Sequence, residues 1–287
     1  MKTVVVDTEN TVLRIKAQSL FINEQRIPMH LVEMLVLAHN VALDSKVLIQ
    51  LSKNSIATLM IDKKSTSFAL TLPLEAKNSE QKIAQYRSLE NRLGFAKYFV
   101  NQKISTHVSH LKVFGVVVDE RHWHEQVDSA KQISDLLGCE GSFSRLYFKH
   151  YFSHIPKLFH KAKRSKRPPQ DPLNTMMSYL YTLAYNVITV ELYKAGLDPA
   201  ISYLHEPFRS HYALSSDFVE LFRAQLNAQA AEWFIDGTLC MKDFKRKDGI
   251  YLHYNSRKRL WETVTEMMQT IALQTNKEIA LLKAAIL

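Results

Sequence analysis

Three separated stretches of the chain carry side chains that could bind a metal ion. Glu140 precedes a glycine and small residues, and His205 follows a turn marked by Gly196 and Pro199. Asp217 and Glu220 are three residues apart and would share one face of a helix. Carboxylates with one imidazole suit Mg²⁺ or Mn²⁺ better than structural zinc, which prefers a closed Cys/His shell. Such an ion assists phosphodiester chemistry by neutralising the phosphate and activating a hydroxyl nucleophile.

Each of these residues also has an ordinary structural interpretation. Glu140 fits a solvated acid at a helix start, where the helix dipole favours it. A lone histidine such as His205 is usually a surface residue or a satisfied core residue. Asp217 and Glu220 could simply form the solvated face of their helix. The residue types alone leave both interpretations open.

The elements that must position these residues change in character along the chain. The first 70 or so residues carry short runs rich in β-branched side chains, and Ser45 could cap a short helix over 46–51. Strands are expected at 4–6, 11–15, 19–23, 57–61 and 67–72. These runs predict a small N-terminal β domain.

From about residue 75 the pattern becomes helical, so we predict an α+β fold with a β domain over 1–75 and a larger all-helical domain over 76–287. Glu140 would begin a helix, and Ser216 would cap another with Asp217 in its first turn. His205 would lie on the loop between two helices. Helices are expected at 79–95, 127–137, 140–149, 174–194, 217–233 and 261–285.

The charge balance favours a partner that carries phosphate. Lys and Arg number 37 against 28 Asp and Glu, a surplus of 37 − 28 = 9. A basic surplus points first to nucleic acid. Clusters lie at 157–167, 242–247 and 257–259, although any one could be only a solvated face.

Twelve residues in and around these clusters are predicted to contact DNA. For two of them a structural role is an equal alternative to DNA contact. Tyr147 could equally be a core residue, and Asn174 could equally serve packing. The set is Arg145, Tyr147, Lys163, Arg164, Lys166, Arg167, Asn174, Lys245, Arg246, Arg257, Lys258 and Arg259.

The cysteine content and the hydropathy pattern indicate in which cellular compartment the protein is found. Cys139 and Cys240 make no disulfide framework and no Cys-x-x-Cys motif. The N-terminus turns polar after three valines, unlike a signal peptide. No run of about 18 apolar residues occurs, so no membrane span is expected. We therefore expect a cytoplasmic protein.

Four motifs in order along the helical half carry a family resemblance. They lie at 140–148, 164–174, 196–206 and 214–223, and they include Glu-Gly, Arg-Pro-Pro, Gly-Leu-Asp-Pro and Leu-His-Glu. Together they resemble the CRISPR-associated integrase family called Cas-one. The chain departs from the usual family pattern at Phe143, Ser202 and Phe218.

The resemblance implies a fold, a site and partners. Glu140, His205 and Glu220 would be the ligands of Mg²⁺ or Mn²⁺, with Asp217 as an auxiliary catalytic acid. The chain would form a homodimer and join a Cas-two dimer in an integration complex on DNA. The 3′-hydroxyl of a short foreign fragment, the prespacer, would attack a phosphodiester at the leader-repeat end of a CRISPR array, without a covalent enzyme intermediate.

Two other functions stay open on the sequence. A different metal nuclease would use the same acids but would only hydrolyse nucleic acid. A non-catalytic DNA-binding protein would bind DNA equally well with and without a divalent ion. Strand joining that needs a free 3′-hydroxyl separates the integrase from both.

Overall fold

The N-terminal part contains two small β-sheets. The computed structural model describes residues 2–62, 68–73, 78–206 and 211–287. A four-stranded sheet has the order β1-β5-β6-β7, and a three-stranded antiparallel sheet has the order β2-β3-β4. The strands are β1 (Lys2–Val6), β2 (Leu13–Lys16), β3 (Ser19–Ile22), β4 (Gln25–Pro28), β5 (Val32–Leu37), β6 (Ala57–Ile61) and β7 (Phe68–Thr71).

Parallel pairing in the larger sheet requires crossover connections. β1 pairs with β5 and β5 with β6 in parallel, whereas β6 and β7 are antiparallel. The β5 to β6 crossover is helix α1 (Ser45–Lys53). Its N-cap is Asp44, whose side chain accepts a hydrogen bond from the Lys46 backbone N–H at 2.9 Å. The prediction that Ser45 caps this helix is therefore wrong, because Ser45 is already the first helical residue.

Seven helices and one hairpin follow in the rest of the described chain. Helix α7 packs between α3 and α6, α6 also packs on α8, and α5 packs on α3. The helices are α2 (Ser79–Arg87), α3 (Arg92–Val113), α4 (Glu120–Ser129), α5 (Ile133–Ser153), α6 (Pro172–Lys194), α7 (Ala213–Ile235) and α8 (Tyr254–Ile286), and the hairpin is β8 (Phe244–Arg246) with β9 (Ile250–Leu252). The predicted α+β class is confirmed, with a hairpin inside the region expected to be all helical.

Several helix boundaries differ from the prediction, and two of them concern the candidate site. The expected helix over 127–137 is broken at Ala130, whose backbone is extended, so Glu140 lies in the middle of α5 and not at a helix start. α7 begins at Ala213 after the N-cap residue Tyr212, so Ser216 is not the N-cap. The break between α4 and α5 at Ala130, Lys131 and Gln132 carries neither proline nor glycine, the residues that usually mark one.

The four-stranded sheet is buried on both faces. Leu35 and Leu51 belong to a core between the sheet and α1. On the other face, Val36 and Leu59 of the sheet belong to the same core as Leu183 of α6 and residues of α8. The predicted boundary near residue 75 falls at 74–77, outside the described residues. The helices of the described ranges include none that is both long and apolar enough to cross a membrane.

Candidate functional site

A basic cleft of about 900 Å³ opens among the helices. Its walls come from α3, α5, α7, the basic loop (residues 157–167) and the histidine loop (residues 195–206). Among the described residues, nine Lys or Arg side chains line it, against the two carboxylates Glu140 and Glu220. Phosphate is the ligand chemistry that such a lining favours.

The two carboxylates of the cleft are joined through a buried lysine. Glu140 comes from α5, Glu220 from α7, and Lys103 from α3. Lys103 Nζ forms an ion pair with Glu140 Oε1 and lies 2.7 Å from Glu220 Oε2. The Ser144 hydroxyl also donates to Glu140 Oε1 at 2.8 Å. In the sequence Glu140 is 37 positions from Lys103 and 80 positions from Glu220, yet the three side chains meet at one point of the cleft wall.

Two cations keep Glu220 ionised although it is buried. Its side chain is only 5% exposed, and Arg223 contributes a guanidinium 2.8 Å from Oε1. Burial alone would raise the pKa of the Glu220 carboxyl, but the charges of Arg223 and Lys103 outweigh burial and hold the pKa well below its usual range. Glu220 is therefore a carboxylate at neutral pH.

His205 is held in place by Asp217. Asp217 is fully buried on α7, and its Oδ1 lies 2.7 Å from His205 Nδ1. The same carboxylate accepts hydrogen bonds from the backbone N–H groups of Tyr203, Leu204 and His205 at 2.8 to 3.0 Å. His205 Nε2 is left facing the cleft, 3.8 Å from Glu220 Oε1. A carboxylate on one ring nitrogen fixes the orientation of the other, as in metal-binding histidines.

Helix ends and a buried glutamine shape the histidine loop. Gly196 has a φ of +81° and closes α6, with Leu197 N–H donating to Leu192 O and Gly196 N–H to Tyr193 O. Gln85 of α2 is fully buried, and its amide bonds to the backbone of Asp198 and Ile201.

Ser202 donates its hydroxyl to His205 O at 2.6 Å. Within the loop this serine thus restrains the backbone of the candidate ligand itself.

Asn174 anchors the basic loop on the first turn of α6. Its amide oxygen accepts from Arg164 Nη1 at 2.8 Å and from the Ser165 backbone N–H at 3.1 Å. Its amide nitrogen donates to Lys163 O and to Asp171, the residue that caps α6. Asn174 is fully buried, so it orients the loop and presents no surface to DNA.

A tyrosine links the basic loop to the acids. The guanidinium carbons of Arg164 and Arg223 lie 5.5 and 4.7 Å from the centre of the Tyr181 ring. The Tyr181 hydroxyl donates to Asn227 Oδ1 at 2.5 Å. Cations over an aromatic face are attracted to it, so Tyr181 holds Arg164 of the basic loop and Arg223, the partner of Glu220.

Two further residues expected to contact DNA are interior in the structure. Tyr147 is fully buried, and its hydroxyl bonds to Asn227 and His110. Arg257 is 2% exposed and pairs with Asp7 at 2.8 Å. The prediction that Tyr147 and Arg257 contact DNA is therefore wrong, because both side chains are buried. They hold helices and sheet together.

The other residues of the DNA prediction fall into two groups. Arg145, Lys163, Arg164 and Lys166 line the cleft beside the acids, although Arg164 is only partly exposed. The exposed residues that do not line it are Arg167, Lys245, Arg246, Lys258 and Arg259.

The three expected metal ligands share this cleft, and their chemistry fits a divalent ion. Two carboxylates and the Nε2 of an oriented imidazole form a hard donor set. Glu220 Oε2 is buried and lies 2.7 Å from Lys103 Nζ. In this arrangement no three His, Cys, Asp or Glu side chains of the described residues surround a common point. The Lys103 ammonium stands between Glu140 and Glu220.

Lys103 and Arg223 contact the candidate acids, and the sequence did not predict either contact. Arg223 lies in the motif at 214–223. Lys103 had a detectable signal, because it falls on the buried stripe of α3 with Val100, Ile104 and Val108. A lysine on an apolar stripe needs a charged partner, and here the partners come from two other helices.

Comparisons with known proteins agree on one family. The CRISPR-associated endonuclease Cas1 1 of Thermodesulfovibrio yellowstonii is 28% identical over 295 residues, covering 94% of this chain and 92% of that protein. The CRISPR-associated endonuclease Cas1 of Clostridium perfringens is 30% identical over 195 residues, covering 64% of this chain. That match spans only 59% of the Clostridium protein's length.

Solved structures share the fold. A CAS1 protein from Thermotoga maritima superposes with a TM-score of 0.90 at 22% identity, covering 100% of this chain and 97% of that one. A casposase bound to integration product superposes with a TM-score of 0.85 at 20% identity, covering 99% and 91%. The family model described as CRISPR associated protein Cas1 matches residues 4–266. The chain therefore belongs to the CRISPR associated protein Cas1 family.

Proposed function

We propose that this chain is a metal-dependent DNA integrase and endonuclease that inserts short foreign DNA fragments into a CRISPR array during spacer acquisition. One observation carries the proposal. Glu140, Glu220 and the Asp217-oriented imidazole of His205 lie together in a cleft lined by nine Lys or Arg side chains. Acids beside a basic surface suit a phosphodiester substrate.

Glu140, His205 and Glu220 would hold Mg²⁺ or Mn²⁺. Bound there, the ion would neutralise the scissile phosphate, activate the attacking hydroxyl and stabilise the leaving oxygen. Asp217 assists indirectly, because it holds His205 Nδ1 and directs Nε2 into the cleft. Arg223 keeps Glu220 ionised for this role.

The reaction would be a direct transesterification. The 3′-oxygen of the fragment would form a bond to phosphorus while the bond from phosphorus to a 3′-oxygen of the target strand breaks. The attacking hydroxyl would lose its proton to water, and the leaving 3′-oxygen would take one from water. Fixed positive charges from the basic loop would stabilise the extra negative charge of the transition state. No Ser, Tyr or Cys nucleophile is needed.

The names of structural neighbours support the partners proposed for this chain. One neighbour is a casposase bound to integration product, and another is a Cas6-RT-Cas1–Cas2 complex. We propose that this chain likewise acts on DNA in the cytoplasm, as a homodimer joined to a small Cas2 dimer.

A strand-joining assay tests the function. The protein, with and without its Cas2 partner, is given a labelled fragment and a supercoiled plasmid that carries a CRISPR repeat. Joined product should require Mg²⁺ or Mn²⁺ and a free 3′-hydroxyl, so a 3′-deoxy fragment should give none. Glu140→Ala, His205→Ala and Glu220→Ala should each abolish joining.

The alternatives predict other products. Cleavage without joining would identify a nuclease that only hydrolyses DNA. Equal DNA binding with and without metal, and no product, would identify an architectural protein. Full joining by any of the three alanine variants would refute the ligand assignment.

A further inference from the structure

Lys103 occupies an unusual position for a lysine. Its side chain is 5% exposed on the buried stripe of α3, yet its ammonium lies between Glu140 and Glu220. Burying an ammonium without partners is very unfavourable. The two carboxylates therefore stabilise Lys103 in its buried position.

The reverse dependence is equally strong. Two carboxylates that share one site repel each other unless a cation lies between them. Arg223 pairs with Glu220 at 2.8 Å, but among the described residues Lys103 is the only Lys or Arg within ion-pair distance of Glu140. Lys103 and Arg223 thus balance Glu140 and Glu220, two charges of each sign.

We propose that Lys103 is an internal counter-cation, whose ammonium fills the position between Glu140 and Glu220 in the metal-free protein and is displaced when a divalent ion binds. The inference rests on the proposed function, because it takes these acids as metal ligands. Its basis is positional, since a divalent ion held by both acids would need the space and the charge balance that Lys103 Nζ now supplies.

Displacement needs no unfolding. Lys103 itself lines the cleft, and its four-carbon stem can swing the ammonium away from the acids toward the cleft. A divalent ion and a retained ammonium at the same carboxylates would repel each other strongly. The displaced charge would then face the cleft, where DNA phosphate would be bound.

Two measurable consequences follow. Lys103 keeps the acid pair assembled before metal arrives, and it lowers the apparent affinity for metal because one cation must be exchanged for another. Removing the ammonium should weaken the metal-free fold and strengthen metal binding. If the role of Lys103 were purely structural, its removal would not strengthen metal binding.

The test is calorimetric titration of Mn²⁺ into the full chain without DNA, with thermal unfolding in parallel. Lys103→Met keeps the length of the side chain and removes its charge. We expect the Kd for Mn²⁺ to fall about tenfold or more, equivalent to about 1.4 kcal/mol or more. The metal-free Tm should drop, and Mn²⁺ should raise it by more than in the wild type.

The control lies on the same helix. Lys112 of α3 is 62% exposed and is 3.8 Å from Glu120. Lys112→Met should leave the Kd for Mn²⁺ within about twofold of the wild type, a change of about 0.4 kcal/mol.

The outcomes separate the inference from the proposed function. Unchanged or weaker Mn²⁺ binding by Lys103→Met overturns the counter-cation. No Mn²⁺ binding by the wild type overturns the proposed metal site, and the inference with it.

If Lys103→Met does not fold, Lys103→Arg gives a second test. Its planar guanidinium can bond both carboxylates and should resist displacement, so Mn²⁺ binding should weaken. Unchanged binding in that variant also overturns the inference.

Discussion

Asp217 Oδ1 lies 2.7 Å from His205 Nδ1, and the same carboxylate binds three consecutive backbone N–H groups of the histidine loop. One buried acid on α7 therefore sets both the path of the loop and the direction of the imidazole. Asp217 and Glu220 lie three positions apart on one helix, but they make different contacts. Asp217 binds the histidine loop, whereas Glu220 pairs with Lys103 and Arg223.

Replacing Asp217 should impair metal binding without removing a ligand. In Asp217→Asn the amide N–H₂ group would face at least one backbone N–H group, so two donors would lie against each other. His205 Nδ1 would also lose the Asp217 carboxylate as its partner. We expect a 10- to 100-fold loss of Mn²⁺ affinity, the range for such supporting residues. Calorimetric titration measures it. Asp236→Asn, at the exposed end of the same helix, is the control, and equal affinity in both variants would contradict the orienting role.

The two acids of the cleft should contribute differently to stability. Glu220 is buried between Lys103 and Arg223, whereas the Glu140 side chain is 22% exposed. Removing one partner of a buried ion pair costs about 3–5 kcal/mol. Glu220→Gln should therefore lower the free energy of unfolding by about 3 kcal/mol, and Glu140→Gln by clearly less. Urea unfolding of the metal-free variants measures both free energies of unfolding. A larger loss of stability in Glu140→Gln than in Glu220→Gln would contradict the prediction.

Acid should destabilise the fold through His110. Burial lowers the pKa of this histidine to about 4, and its Nδ1 lies 2.8 Å from the Tyr147 hydroxyl. Because Asn227 donates to that hydroxyl, the hydroxyl donates in turn to a neutral His110. The unfolded chain binds the proton near the ordinary pKa of about 6.5, so stability is full above that pH and falls as the pH drops toward 4.

The size of the effect follows from the gap between the two pKa values. It amounts to on the order of 3–4 kcal/mol for His110, since the pKa falls from about 6.5 to about 4 and one pKa unit corresponds to about 1.4 kcal/mol. His110→Gln should flatten the loss of stability between pH 6.5 and 4.5 in urea unfolding, while His150→Gln at a half-exposed position of α5 should not. Identical pH profiles for His110→Gln and the wild type would exclude this histidine as the cause.

The basic loop should set the salt dependence of DNA binding. Lys161 and Lys163 are exposed and line the cleft. Each phosphate contact adds roughly 0.9 to the slope of log affinity against log salt for duplex DNA. Lys161→Ala with Lys163→Ala should reduce that slope by up to about 1.8. Fluorescence anisotropy at several salt concentrations measures it.

A matched pair of lysines far from the cleft provides the control. Lys46 and Lys53 are exposed on α1, and their replacement by alanine should leave the slope unchanged. An unchanged slope in the loop variant would remove Lys161 and Lys163 from the DNA interface.

Local sequence patterns predicted most of the elements. The strand at Ala57–Ile61 has the predicted bounds, because a run of apolar and β-branched residues suffices to define a buried strand. The break between α4 and α5 was not predictable in this way. Ala130, Lys131 and Gln132 are compatible with a helix, and only the packing of both helices on α3 requires the turn.

Side-chain partners could not be predicted from local windows. Arg257 stands in a run of three basic residues, yet it faces Asp7, 250 positions away, while Lys258 and Arg259 point outward. Lys103 likewise meets acids from two other helices. Composition shows that charge is present, but the fold decides which charges reach the cleft.

The central claim is that Glu140, His205 and Glu220 bind one divalent ion. Pulsed electron paramagnetic resonance of the Mn²⁺-loaded protein tests it most directly, because a bound imidazole nitrogen couples to the Mn²⁺ spin. We predict one Mn²⁺ per chain with nitrogen coupling that is lost in His205→Gln. The coupling should persist in His160→Gln, which changes another histidine of the same cleft. Nitrogen coupling that survives in His205→Gln, or an ion bound with full affinity in Glu140→Gln or Glu220→Gln, would contradict the claim.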